Sequence, residues 1–213
     1  MIITVSKPFE KILSMLEPFD GVFIVGCGDC ATVCQTGGEK QVEDMARRVG
    51  KVKDVAGTAI VETTCDERLV KRDLSKIVRE RQPEAFLVMA CGVGVQTLSE
   101  AFDVTCIPAL DTKFLGKVER IGRFFERCKA CGDCVLYDTG GICPVTRCAK
   151  GLLNGPCGGQ ADGKCEVGGW QNDCAWALIY ERLKKRGTLD KFKEFRQPRD
   201  HRLKAGPGEL VWR

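Results

Sequence analysis

The chain has 213 residues, enough for one large domain or two small ones. Its formal net charge of +4 is too small to predict nucleic-acid binding by itself. No apolar run approaches the roughly 20 residues that span a bilayer, and the N-terminus lacks a signal-peptide core, so we expect a cytoplasmic protein that binds no membrane. The unusual feature is 14 Cys beside 24 Gly and a single His.

The first part of the chain alternates between strand patterns and helix patterns. Continuous apolar runs predict buried strands at 21–26, 58–62 and 85–90, with a weaker strand at 104–107. Amphipathic helices are predicted after the first two strands, and a short helix is predicted near Val95. This alternation predicts an α/β, parallel-sheet, Rossmann-like N-terminal domain over residues 1–120.

The composition of residues 121–185 predicts an irregular cysteine-rich iron–sulfur domain. Eight Cys lie between Cys128 and Cys174, and ten Gly accompany them. The few large apolar side chains cannot offset the ordering entropy of such a segment, so we expect metal–thiolate bonds to hold it. A helix should follow Cys174, capped by Asn172 or Asp173, with one apolar stripe formed by Trp176, Ile179, Tyr180 and Leu183. Residues 186–213 then read as an extended basic tail.

The eight later cysteines have the spacing of iron–sulfur ligands. A CxxCxxC run followed by Cys-Pro is the ferredoxin-type signature of a [4Fe–4S] cluster, and eight thiolates suffice for two clusters. The sequential partition is the simplest, although bacterial ferredoxins interleave their ligands. Two structural four-thiolate zinc sites are the alternative. The predicted cluster ligands are Cys128, Cys131, Cys134, Cys143, Cys148, Cys157, Cys165 and Cys174.

A second group of cysteines follows the predicted parallel strands. The carboxyl ends of parallel strands lie along one edge, where such folds bind ligands. We therefore expect a metal site there, either a third [4Fe–4S] cluster or a thiolate-bound zinc. Cys106 lies on the fourth strand and is the residue of this half best explained as structural. The predicted ligands are Cys27, Cys30, Cys34, Cys65 and Cys91.

Other interpretations of these cysteines are weaker. Residues 26–31 formally match the dinucleotide motif GxGxxG/A, but the acidic residue expected about 20 positions later is missing. A disulfide framework is disfavoured by the chain length and the short spacings. A thiol–disulfide oxidoreductase using Cys27 and Cys30 would not require the remaining cysteines. Nucleic-acid binding through the tail is disfavoured because acids are interspersed among its cations.

The motifs together resemble a known family. The segments VGCGDCATVCQTGGEKQV, TCDERLV, LVMACGVGVQT, PALDTKFLG and DCAWALIYERL, and above all GICPVTRCAKGLLNGPCGGQADGKCEV, resemble the small iron–sulfur/zinc subunit (MetV type) of acetogen-type methylenetetrahydrofolate reductase. The same module resembles the C-terminal domain of some of those reductases. The resemblance covers nearly the whole chain and is most specific between Cys143 and Cys165.

The resemblance implies an electron-transfer subunit without a catalytic site of its own. Its implied partner is a flavin-containing TIM-barrel subunit that reduces methylene-tetrahydrofolate to methyl-tetrahydrofolate, as in the Wood–Ljungdahl pathway of one-carbon metabolism. A further electron-donor protein is another implied partner. The resemblance leaves open which thiols take zinc and which take iron. We also expect the basic tail to dock the flavoprotein. A zinc-stapled interaction module without a redox role remains the alternative function.

Overall fold

The computed structural model describes residues 1–204 and 206–211. The chain divides into two compact units, Met1–Phe125 and Glu126–Arg213. None of the helices in the described residues has the length and apolar character needed to cross a bilayer.

The first unit contains seven strands and five helices among the elements described, the last strand extending into the second unit. In chain order these are β1 (Ile2–Ser6), α1 (Phe9–Leu16), β2 (Gly21–Cys27), α2 (Cys30–Val33), α3 (Glu39–Val49), β3 (Asp54–Val61), α4 (Glu67–Arg81), β4 (Ala85–Met89), α5 (Gly92–Ala101), β5 (Thr105–Pro108), β6 (Leu110–Arg120) and β7 (Arg123–Cys128).

Four of these strands form the parallel sheet that the apolar runs predict. The strand order is β3–β2–β4–β5, with all pairings parallel. Strands β2 and β4 are central and almost wholly buried, which explains why their sequences read as unbroken apolar runs. Helices α3 and α4 place apolar side chains against the core, including Val42, Val49, Val70 and Leu74. The prediction of an α/β parallel-sheet domain is confirmed at this level.

A second sheet in the first unit was not predicted. Strand β1 pairs antiparallel with β6, so that Ile2 lies opposite Leu115 and Ser6 opposite Leu110. Strand β7 completes this three-stranded sheet at the free edge of β6. Strand β6 is mostly exposed or half-buried and carries several charged residues, and the last two positions of β1 are exposed, so neither strand shows the fully buried apolar run of the central parallel strands.

The second unit has little regular structure. Its elements are α6 (Pro144–Arg147), β8 (Gln160–Ala161), β9 (Lys164–Cys165), α7 (Ala175–Lys185) and two short 3₁₀ helices, Leu189–Phe192 and His201–Lys204. Its core is a small cluster formed by Ile142, Cys174, Trp176, Ile179 and Leu183. The apolar stripe predicted on the last helix therefore faces this core, with Tyr180 only partly buried.

Two expectations for this part of the chain need correction. Helix α7 is not capped by Asn172 or Asp173, because Cys174 occupies the N-cap position and Asp173 forms an ion pair with Lys164. The tail is not simply extended, because the 3₁₀ helix Leu189–Phe192 packs against the core and the edge of the Phe192 ring meets Trp176, with 5.8 Å between ring centroids.

Candidate metal centres

All 14 cysteines are free thiols in the structure, and they divide into three spatial groups and one isolated residue. No three His, Cys, Asp or Glu side chains within residues 1–204 and 206–211 converge closely enough to hold a metal ion as they stand. The later eight cysteines instead line two separate cavities in the second unit.

The first cavity is lined by the first four cysteines of the CxxCxxC region. Its volume is about 290 Å³. A single zinc ion sits about 2.3 Å from each thiolate sulfur, so a cavity of this size suits a larger polynuclear group. The four thiols are Cys128, Cys131, Cys134 and Cys143.

The loop between these cysteines curls so that a backbone amide faces sulfur. The Ala130 amide donates a hydrogen bond to Cys128 Sγ at 3.3 Å. Ala130 has a φ of 49° and Gly132 a φ of 81°, both in the left-handed region. Glycine suits this region, and successive amides in such turns form concave anion-binding sites. The loop is thus shaped to stabilise negative charge on sulfur.

Cationic side chains surround the same cavity. Arg127, Lys129 and Arg199 line it, whereas Asp133 is the one acid among the described lining residues. A [4Fe–4S] cluster with four thiolates is a net anion, so this charge pattern fits it. Hydrogen bonding from the Arg199 guanidinium lowers the pKa of the Cys131 thiol, which favours the thiolate that metals bind.

The last four cysteines line the second cavity. Their cavity is smaller, about 10 Å³, which is room for about one water-sized particle. The N-terminus of helix α7 opens into it, since both Cys174 and Ala175 line the cavity. The partial positive charge of a helix N-terminus favours thiolates there. The four thiols are Cys148, Cys157, Cys165 and Cys174.

Backbone pairing and one cation position this second group. The Cys165 amide donates to the Asn172 carbonyl at 2.8 Å, and the Cys174 amide donates to the Gly163 carbonyl at 2.7 Å. Lys150 lines the cavity and interacts with the Cys157 thiol as well as with Glu166. The first four of the eight later cysteines line the first cavity and the last four line the second, so the two sets do not interleave along the chain.

The N-terminal cysteines gather at the carboxyl edge of the parallel sheet. Cys27 ends β2, Cys65 follows β3, and Cys91 follows β4. The strand order reverses between β2 and β4, and this switch point is where open α/β sheets bind ligands. Burial is the main cause that raises the pKa of Cys65, and repulsion from Cys91 and, to a smaller extent, from Cys27 raises it further.

The other two predicted ligands of this half share one partner. Ile2 of β1 donates its amide to Cys30 Sγ at 3.4 Å, and the Cys34 thiol donates to the Ile2 carbonyl at 3.7 Å. Cys30 and Cys34 therefore face the same side, as their spacing across one helical turn predicts. Burial raises the pKa of Cys30, and repulsion from Asp29 and Cys27 adds smaller contributions.

Cys106 lies apart from this edge. It pairs in register with Phe86, near the beginning of β4, rather than with the end of that strand. Burial raises the pKa of Cys106 to about 11, and its thiol donates to the Val104 carbonyl at 3.5 Å. A protonated, buried thiol of this kind behaves as a small apolar side chain.

The glycines of the formal dinucleotide motif are explained by packing. A Cβ on Gly26 would lie 2.6 Å from the Gly37 carbonyl oxygen, from Ile60 and from Val42. The Gly28 amide already donates to the Val61 carbonyl at 2.8 Å. The motif therefore serves close backbone contact, and that amide is committed to a bond within the chain.

One residue at the first cavity was not identified from the sequence. Arg199 lies far along the chain from the CxxCxxC run, within the basic tail. No local spacing marks Arg199, because tertiary structure, rather than sequence proximity, brings its guanidinium to the CxxCxxC loop. The residues on either side of it, Pro198 and Asp200, do not distinguish Arg199 from the other cations of the tail.

Comparison with known proteins gives a match to one part of the chain. Residues 107–202 match a family model described as "Methylene-tetrahydrofolate reductase C terminal". The matched region contains all eight cysteines of the two cavities and links this part of the chain to methylene-tetrahydrofolate reductase. Residues 1–106 lie outside the match. Neither a curated protein nor a solved structure matches the chain.

Proposed function

We propose that the chain is an electron-transfer iron–sulfur subunit of a methylenetetrahydrofolate reductase complex. It would relay electrons to a flavin-containing TIM-barrel subunit that forms methyl-tetrahydrofolate. The observation that carries the proposal is the sorting of eight cysteines, in chain order, around two cavities. The match to the reductase C-terminal family supports the choice of complex.

The first cavity has the properties that a [4Fe–4S] cluster requires. Four thiols, an inward amide and a cationic lining are the donors, the hydrogen bond and the charge that hold such a cluster and tune its potential. When bound, the cluster would supply one-electron transfer. The chain itself would contribute the thiolates and set the local charge.

The second cavity supports two assignments. A [4Fe–4S] cluster is consistent with its four thiols and with the helix N-terminus that faces them. A zinc ion is the second candidate, because the cavity volume of about 10 Å³ already suits a single ion. Zinc there would staple the fold and leave electron transfer to the other centres.

A third centre, either [4Fe–4S] or zinc, is proposed at the sheet edge of the first unit. Cys27, Cys65 and Cys91 follow three neighbouring strands there, and Cys30 lies near Cys27. Five thiols exceed the four that either centre needs, so one of the five has another role.

Metal analysis of anaerobically purified protein tests the proposal. Two [4Fe–4S] clusters give about eight iron and eight acid-labile sulfide per chain, and a third gives about twelve of each. Zinc in the second cavity instead gives about one zinc in place of four iron. We expect a brown protein with EPR signals on reduction. A colourless protein that contains zinc alone would refute the redox function.

The choice of partner needs a separate test. The chain is co-expressed with the flavoprotein subunit of a methylenetetrahydrofolate reductase, and the two are purified through a tag on the chain. We expect co-purification and reduction of the bound flavin when the chain is reduced first. Iron-loaded chain that neither binds nor reduces the flavoprotein would refute the assignment to this complex while leaving the clusters in place.

A further inference from the structure

The C-terminal segment 196–203, here called the closing segment, lies against the first cavity. Its beginning is anchored by Asn154, whose side chain accepts from the Arg196 amide and donates to the Arg196 carbonyl, both at 2.8 Å. Arg196 also donates through Nη2 to the Asp138 carbonyl at 3.3 Å. The segment is therefore fixed to the cysteine-rich unit before it reaches the cavity.

The end of the closing segment presses on the CxxCxxC loop. A Cβ added to Gly132 would lie 2.9 Å from the Leu203 carbonyl oxygen and 3.0 Å from Leu203 Cβ. Gly132 also has a positive φ of 81°, which side chains rarely adopt. The loop between Cys131 and Cys134 thus has a glycine at a position where the closing segment leaves no room for a side chain.

Arg199 reaches the cavity from the middle of this segment. Its Nη2 donates to the Asp133 carbonyl, and its guanidinium interacts with the Cys131 thiol. Its Nε and Nη1 atoms are buried and have no hydrogen-bond partner of ordinary geometry in the described part of the chain. Buried charged donors without an acceptor are costly, and the sulfur of Cys131, which lines the cavity and interacts with this guanidinium, is of the kind that could accept from them.

We propose that Arg199 sets the reduction potential of the centre held by Cys128, Cys131, Cys134 and Cys143. The proposal rests on the proposed function, because it requires an iron–sulfur cluster in the first cavity. The Arg199 guanidinium would donate a hydrogen bond to a cluster or cysteine sulfur and place a positive charge beside that sulfur. Reduction adds one electron to an anionic cluster, so a nearby cation stabilises the reduced form and raises the potential.

The test compares full-length variants loaded anaerobically with iron and sulfide. Each is titrated with dithionite, and the cluster potentials are read from EPR. Arg199→Gln removes the charge, and we expect one centre to change its reduced-to-oxidised ratio at least tenfold towards the oxidised form, a fall of about 59 mV for a one-electron couple. Arg199→Lys keeps the charge but loses the planar fork, so its potential should fall by less.

Arg202→Gln is the matched control. It removes the same charge from the same segment, but Arg202 is exposed and paired with Asp200. We expect its potentials to equal those of the unchanged protein. Equal shifts in Arg199→Gln and Arg202→Gln, or no shift in either, would overturn the assignment of Arg199.

Loss of iron in a variant also gives a clear result. If Arg199→Gln does not load, a lowered potential in loaded Arg199→Lys supports the proposal, and an unchanged one overturns it. If neither variant loads while Arg202→Gln does, Arg199 only closes the cavity and the potential-setting role is wrong. If the protein without substitutions shows no iron–sulfur EPR signals, the proposed function itself is refuted, and this outcome is distinct from failure of the Arg199 proposal alone.

Discussion

The sharpest prediction about stability concerns Trp176 in the second unit. Its side chain is 2% exposed and belongs to a buried core with only four other members among the described residues. Its indole Nε1 donates to the Leu152 carbonyl at 3.0 Å. Trp176 also lines the second cavity, so its packing holds the loop that carries Cys157 beside Cys174.

Replacing Trp176 by Ala should be strongly destabilising. Truncation of a buried aromatic side chain costs about 3–5 kcal/mol. With a urea dependence of about 2 kcal/mol per molar, the midpoint of unfolding should fall by about 2 M. Trp176→Phe retains a ring but leaves the Leu152 carbonyl without its donor, which should cost about 1–3 kcal/mol.

The assay is anaerobic urea unfolding of the metal-loaded chain, followed by loss of metal from the second cavity. Trp170→Ala is the control, because Trp170 is in the same unit but is 54% exposed. Substitutions at such exposed positions change stability by about 0.5 kcal/mol or less. If Trp176→Ala unfolds at the same urea concentration as Trp170→Ala, the small core does not support the second cavity and the reasoning is wrong.

Three further predictions concern the first unit. Cys106→Ser should leave the metal content unchanged, whereas Cys91→Ser should remove the metal of the sheet edge, as measured by iron and zinc analysis of each variant; equal losses would contradict the separation of these cysteines. Because burial raises the pKa of Cys106 to about 11, native protein at pH 8 should resist alkylation there and react after unfolding, as peptide mass spectrometry can show. The ion pair with Lys7 lowers the pKa of Asp111, so its stabilisation should be complete above about pH 4 and should disappear as the pH falls through that lowered pKa. Acid unfolding of Asp111→Asn should therefore differ from that of the unchanged protein above pH 4 and converge with it at lower pH.

The parallel sheet could be predicted from sequence because a strand buried on both faces appears as a run of consecutive apolar residues. Strands β2 and β4 are apolar at every position, and the helices between strands show their own periodicity. The pairing of strands β1 and β6 is not visible in any local sequence pattern. Their pairing joins Ile2 to Leu115, a contact between distant parts of the chain that no local pattern specifies.

The same distinction applies to the candidate site. Cysteine spacing is local, so the sequence alone marks out the thiols that line the two cavities. Arg199 and the helix cap are different, because their roles depend on tertiary position. Asp173 has the residue type of a cap, but its side chain pairs with Lys164, and the N-cap position belongs to Cys174.

The two cysteine sets occupy consecutive stretches of chain, 128–143 and 148–174, and this order has a consequence for biosynthesis. A polypeptide leaving the ribosome exposes every thiol of the upstream set before the first thiol of the downstream set. If both sets bind a metal centre as proposed, each set can acquire its centre as an independent event. Arg199 follows both sets in the chain, so the upstream set stays accessible to assembly factors until that residue has also left the ribosome.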